Sequence, residues 1–140
     1  MTDYKREGDG ATPRGIWRIV GGGFRADRVP CPAARNVFLR AIGPGDIWSD
    51  DPKDPAYNHG FNAHDHPFNH EKLRMSARLY DLMLISDWNW PDAQPGKGSA
   101  IFLHQWRKPR HPTAGCLAFA PRDLRWIVAR WTPGSRIFVR

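Results

Sequence analysis

The sequence predicts a mainly β domain, and three observations carry that prediction. Thirteen glycines and thirteen prolines in 140 residues interrupt the chain too often for a helical bundle. Between them lie short runs rich in β-branched and aromatic residues, the pattern of buried or half-buried strands. Near the C-terminus alone do apolar residues recur at helical spacing. A chain of this length buries roughly two-thirds of its unfolded surface, so a single domain over 1–140, with one core, needs neither disulfide nor metal to stay folded.

Taken in order, residues 5–13 (KREGDGATP) form a charged, glycine-rich turn that leads into a strand at 15–20 (GIWRIV), which Gly21, Gly22 and Gly23 are expected to end. A second strand is expected over 37–42, stopped by Gly43, Pro44 and Gly45. Residues 48–69 are rich in Asp, Pro, Asn and His and poor in apolar side chains, so they read as one long irregular segment. Residues 79–85 (LYDLMLI) read as a buried strand and 87–98 as a loop carrying Trp88 and Trp90. The run Ile101, Phe102, Leu103 is a further buried strand with His104 at its end, and Pro109, Pro112 and Gly115 turn the chain back in a hairpin-like unit before Cys116. Leu124, Ile127, Val128 and Trp131 then define an amphipathic helix over 121–131, with Pro121 in its first turn. A last strand spans 136–139. Trp17, Trp126 and Trp131 are assigned to the core, and Trp88, Trp90 and Trp106 to loops where they could wall a binding cleft.

The formal charge of +7 implies a surface that attracts anions. The basic residues contain no run of five or more, so a solvated basic face accounts for them and nucleic-acid binding is not expected. The two cysteines, Cys31 and Cys116, sit in no disulfide or metal-knuckle pattern. No apolar stretch approaches the length of a membrane span, and residues 1–7 are charged rather than signal-like. His59, His64, His66 and His70, with Asp65 and Glu71, fit no zinc spacing and read as a polar loop.

The chemistry concentrates at His104 and Cys116. A thiol near neutral pH is only a few per cent thiolate, and an imidazole held beside it supplies the base that makes it a nucleophile. Gly115 leaves room for a substrate against the backbone, the N–H groups of Gly115 and Cys116 could form an oxyanion hole, and Thr113 can brace the turn. Spacing alone leaves the alternative open: a small buried hydrophobe at Cys116 and a satisfied core histidine at His104.

The segments GSAIFLH at 98–104 and PTAGC at 112–116, followed by a helix beginning PRDL, resemble the catalytic segment of the L,D-transpeptidases of bacterial peptidoglycan, the YkuD-like family. The segments KREGDGATPRG at 5–15, DDPKDPAYN at 50–58, HEKL at 70–73 and LYDLML at 79–84 extend the resemblance over nearly the whole chain, as a divergent, compact branch. It implies a β-sandwich with one or two short helices, Cys116 as nucleophile and His104 as base, a carbonyl just after His104 orienting the imidazole, and no cofactor or metal. It further implies peptidoglycan stem peptides as partners, a thioester formed with release of terminal D-alanine, and a periplasmic or cell-envelope location. Family domains usually begin one or two strands earlier, so a shortened N-terminus is expected. Ala114 stands where the better-known branch has a histidine, and Leu117 where it has a polar residue, which leaves the acceptor open between an amine and water.

Arg6, Tyr57, His70, Glu71 and Tyr80 are the expected substrate contacts, with His70 and Glu71 acting as a pair near the catalytic residues. The rival readings are an L,D-carboxypeptidase or amidase using the same Cys/His site, and a basic binding module without catalysis. Cys31, between two prolines, is assigned no role, and the oligomeric state is not legible.

Overall fold

The apolar runs sort onto the two faces of one five-stranded sheet. The computed structural model describes residues 1–140. Its elements are β1 (Gly15–Trp17), β2 (Ile19–Phe24), β3 (Leu39–Ala41), β4 (Asp46–Ser49), β5 (Gly60–Asn62), β6 (His70–Lys72), β7 (Leu82–Ser86), β8 (Phe102–Gln105), β9 (Leu117–Phe119), the helix α1 (Pro121–Arg130) and β10 (Ile137–Val139), with a 3-10 turn over Arg78–Tyr80. The central sheet runs β3-β2-β7-β8-β9, a second sheet runs β5-β4-β6, and β1 pairs antiparallel with β10. The architecture is mainly β, as expected.

Successive side chains of a strand point to opposite faces, and the core divides accordingly. Leu82 and Leu84 of β7 and Leu103 of β8 pack with Leu124 and Val128 of α1. Met83 and Phe102, on the other face, pack with Trp48 of β4, Leu73, Ile42 and Tyr80. The sheet is thus covered by α1 on one side and by the three-stranded sheet on the other. Each buried leucine contributes roughly 1.5–3 kcal/mol relative to exposure. Because Met83 pairs with His104 across β7 and β8, the same alternation places the His104 side chain on the Met83/Phe102 face, under the smaller sheet.

In α1, Pro121 opens the first turn, Asp123 lies near the positive end of the helix dipole and Arg130 near the negative end. Leu124 and Val128 take its core face. Trp126, two residues or about 200° around the helix from Leu124, therefore points outward, with the Arg130 guanidinium 4.8 Å from its ring centre. Its assignment to the core is corrected. Trp17 is buried, and Trp131 packs partly against the core.

Four other expectations are corrected. The glycines do not end the strand expected over 15–20: that stretch divides into β1 and β2, and β2 runs through Gly21, Gly22 and Gly23 to Phe24. A Cβ at Gly22 would stand 2.5 Å from the Met83 carbonyl oxygen, and one at Gly23 2.7 Å from Ile42 Cγ1, so these glycines let backbone and side chains close on the sheet rather than break it. Residues 48–69 are not wholly irregular: they contain the end of β4 and all of β5. Gly60 lies bare against the Trp48 ring, where a Cβ would be 2.7 Å from Cε3. The strand expected over 79–85 begins only at Leu82, because the 3-10 turn closes with Asp81 N–H donating to the Arg78 carbonyl at 3.2 Å and buried Asp81 pairs with Arg28 at 3.1 Å.

The fourth correction bears on the site. β8 and β9 do not form a hairpin; they are parallel, with Leu103 opposite Leu117 and His104 opposite Ala118. Parallel neighbours need a crossover of about a dozen residues, and residues 106–116 supply it.

Candidate active site

Parallel register is what brings the thiol and the imidazole to one place. Cys116 immediately precedes β9, so continuing the pairing by one step sets it beside Phe102. Its side chain then shares the face of Phe102 and His104, one strand across from the imidazole and two residues back. The Phe102 N–H donates to Cys116 Sγ at 3.4 Å, consistent with that placement. Cys116 and His104 line one cavity of about 470 Å³.

His104 is buried, and its Nδ1 lies 2.8 Å from the Gln105 carbonyl. A carbonyl only accepts, so Nδ1 carries the hydrogen and Nε2 keeps the lone pair that can take a proton. Burial lowers the imidazole pKa, against the smaller opposing effect of that carbonyl. Burial also pushes the Cys116 thiol up to about 12. The two shifts together favour neutral thiol and neutral imidazole at rest. The thiol donates to the Ala100 carbonyl at 3.1 Å and makes no hydrogen bond to His104.

The turn before Cys116 is held by Thr113, whose Oγ1 donates to the Cys116 carbonyl at 2.7 Å and accepts the Gly115 N–H at 3.2 Å. The Gly115 N–H is thereby occupied, and of the two backbone donors considered for an oxyanion hole only that of Cys116 lacks a protein acceptor. Gly115 has φ +131°, a region that disfavours other residues, and a Cβ there would lie 2.9 Å from the Ala11 carbonyl oxygen. Gly115→Ala should therefore push the 5–13 segment off the site. We expect at least a tenfold loss of kcat, with the unfolding midpoint much less affected; unchanged kcat would show that the contact is dispensable.

That N-terminal segment is one wall of the cavity. Asp9 accepts the N–H groups of Arg6 and Ala11 and pairs with Lys5, closing a tight turn. The Glu7 N–H donates to the Gly96 carbonyl at 2.8 Å, and its carboxylate accepts from Ser99 Oγ at 2.7 Å and from the Tyr57 hydroxyl. Glu7, Gly8 and Gly10 line the cavity, whereas Arg6 is exposed and does not. Tyr57 is buried behind the wall, its hydroxyl spent on Glu7.

Of the other expected contacts, Glu71 and Tyr80 line the cavity and His70 does not. In β6, His70 and Lys72 face a separate groove near Gly45 and His64, while Glu71 points to the catalytic side. The expected His70–Glu71 pair is split by strand alternation. The tryptophan wall is also absent. Trp88 packs on Trp17, with ring centres 6.1 Å apart, and Trp90 packs beside His59 and the core.

Sequence reasoning passed over Glu7, Asp50, Arg107 and His111, all of which line the cavity. Burial, and then the negative charge of Glu7, raises the Asp50 carboxyl, and its Oδ1 is buried without a hydrogen-bond partner. Burial raises Glu71 as well, with Asp50 adding to the shift and the Tyr80 hydroxyl opposing it. The cavity of this basic protein thus has a carboxylate wall, with Arg107 and His111 contributed by the crossover loop. Asn58 was also overlooked. At φ 57° and fully buried, it accepts from Trp48 Nε1 at 2.9 Å and from the Ala100 N–H at 3.0 Å, and donates to the carbonyls of Trp88 and Asn89. An asparagine in a polar loop, a residue type that tolerates the left-handed region, was the available signal.

No helix is long and apolar enough to cross a membrane. The YkuD family, described as the L,D-transpeptidase catalytic domain, matches residues 4–139. No curated protein and no solved structure matches the chain.

Proposed function

Since the chain belongs to the YkuD family of L,D-transpeptidase catalytic domains, we propose that it is a cysteine-dependent acyltransferase acting on peptidoglycan stem peptides in the cell envelope. The observation that carries this reading is the placement of Cys116 and His104 on one face of adjacent parallel strands, lining one cavity. Substrate entering that cavity displaces the thiol from the Ala100 carbonyl. Sγ attacks the carbonyl carbon of the L,D bond while His104 Nε2 takes the thiol proton. The tetrahedral oxyanion is met by the Cys116 N–H. Collapse breaks the C–N bond, His104 protonates the departing D-alanine amine, and a thioester remains on Cys116.

Resolution of the thioester by an amine is supported by the carboxylates of Glu7 and Asp50, which attract an ammonium group and offer acceptors for the proton it must lose before attack. The amine nitrogen then forms the new amide as His104 Nε2, neutral again after protonating D-alanine, takes the amine's remaining proton and passes it to sulfur while the C–S bond breaks. Arg107 supplies positive charge for a carboxylate on the same ligand.

The test is mass spectrometry of the protein incubated with a purified disaccharide-tetrapeptide, beside Cys116→Ala. A Cys116 adduct with loss of D-alanine, followed by cross-linked dimer, is the expected result, and Cys116→Ala should form neither. Trimmed monomer in place of dimer would reassign the protein as a carboxypeptidase. An unaltered muropeptide with a folded chain would overturn the enzymatic reading in favour of a basic wall-binding module.

A further inference from the structure

The imidazole of His104 has one polar restraint, the carbonyl of the residue next to it in the chain. That bond selects the tautomer but comes from the histidine's own strand, so it moves with the strand and does little to fix the ring plane against the thiol. The second restraint comes from elsewhere in the fold. The Tyr80 ring packs against His104 with ring centres 5.5 Å apart at 75°, and against Phe102 at 5.9 Å and 84°. Tyr80 arrives from the 3-10 turn before β7, and its hydroxyl donates to Glu71 Oε1 at 2.5 Å. Glu71 arrives from β6, in the other sheet.

Glu71 is an expensive residue for this position. Burying a carboxylate is unfavourable unless charge partners or several hydrogen bonds compensate it. Here the Tyr80 hydroxyl is its one hydrogen-bond partner, no cation pairs with it, and Asp50 adds like charge beside it. Stability does not account for such a group. Its geometric effect is to hold the Tyr80 ring by the far end, so that the near face is fixed against the imidazole.

Resting on the Cys116/His104 reading, we propose that Glu71 and Tyr80 are positioning residues for His104: the carboxylate anchors the tyrosine, and the tyrosine sets the plane in which Nε2 meets the thiol. Rigid placement of this kind is how a base within reach becomes a base in line. It assigns these two residues an effect exerted through His104, where the sequence had marked them as substrate contacts.

The proposal is tested without peptidoglycan, by the rate at which iodoacetamide alkylates Cys116 at neutral pH in a Cys31→Ser background, read by peptide mass. His104→Ala sets the floor. Tyr80→Phe, which keeps the ring and frees it from Glu71, is expected to lower the rate about tenfold or more, and Tyr80→Leu to bring it close to the floor. Glu71→Ala should match Tyr80→Phe, whereas Glu71→Gln, which still accepts from the hydroxyl, should retain most of the parent rate. The decisive arm is Tyr80→Phe combined with His104→Ala: a residue acting through the histidine has nothing left to position, so the double variant should react like His104→Ala alone.

Alkylation unaffected by Tyr80→Phe and Tyr80→Leu, or reduced by the same factor with and without His104, overturns the positioning role and leaves the Cys/His reading intact. A rate unmoved by His104→Ala overturns that reading and the positioning role with it.

Discussion

Replacing His104 by alanine is expected to slow acylation of Cys116 by about 10²–10⁴-fold, the range for loss of a positioned general base, and to change the pH profile in a defined way. In the parent protein the imidazole must be neutral to take the thiol proton. Its pKa is lowered by burial, so the acylation rate should climb through a midpoint below the usual histidine value of about 6.5 and be flat by neutrality. The thiol is pushed up to about 12, so thiolate formed by simple ionisation adds little below that. Without His104 the plateau should vanish. What remains should rise about tenfold per pH unit as the thiolate fraction grows. The measurement is acylation rate against pH for both proteins, with mass detection of the adduct. A plateau that survives in His104→Ala would name another group as the base.

The second large effect is expected at Asn58, which makes no hydrogen bond to either reacting side chain. Asn58→Ala deletes an acceptor shared by Trp48 Nε1 and the Ala100 N–H, and a donor to two loop carbonyls. It also puts alanine at a left-handed φ. Buried groups left unpaired cost about 1–3 kcal/mol each, and the backbone strain adds about 1 kcal/mol. Counting only the Trp48 and Ala100 N–H groups as unpaired, the total is at least about 3 kcal/mol, which should appear as a fall in Tm of roughly 10 °C or more. Ala100 is the residue whose carbonyl receives the Cys116 thiol, so alkylation of Cys116 below the melting range should also change. A Tm shift under about 3 °C would show that water replaces the amide at little cost.

The strands with strong apolar runs were legible because alternation and burial are properties of the local sequence. The strand through 102–104, the strand at 137–139 and the helix at 121–130 needed no knowledge of their neighbours. The site was legible in its two reacting side chains and illegible in much of the cavity around them. Glu7 lies in a turn and Asp50 just past the end of β4, where acidic residues are ordinary, and only tertiary contact with Ser99 and Tyr57 gives Glu7 a role. Arg6 and Glu7 differ by one position in a turn, and turn geometry decides which of them faces inward. His70 and Glu71 were separated by the direction of a three-residue strand too short and too polar to be read. The glycines of β2 misled for a related reason: the sequence shows an absent side chain, and only the folded sheet shows what occupies the space.

The crossover between β8 and β9 separates two properties that a hairpin would have tied together. The relative position of base and nucleophile is written into backbone pairing within the sheet and the Thr113–Gly115 turn, whereas residues 107–112, which carry Arg107 and His111 to the rim, lie outside both. The loop is therefore an exchangeable cassette. Its composition and length can be redrawn to admit a different acceptor while the reacting pair keeps its alignment, which makes this segment the natural place to randomise in a selection for new cross-links.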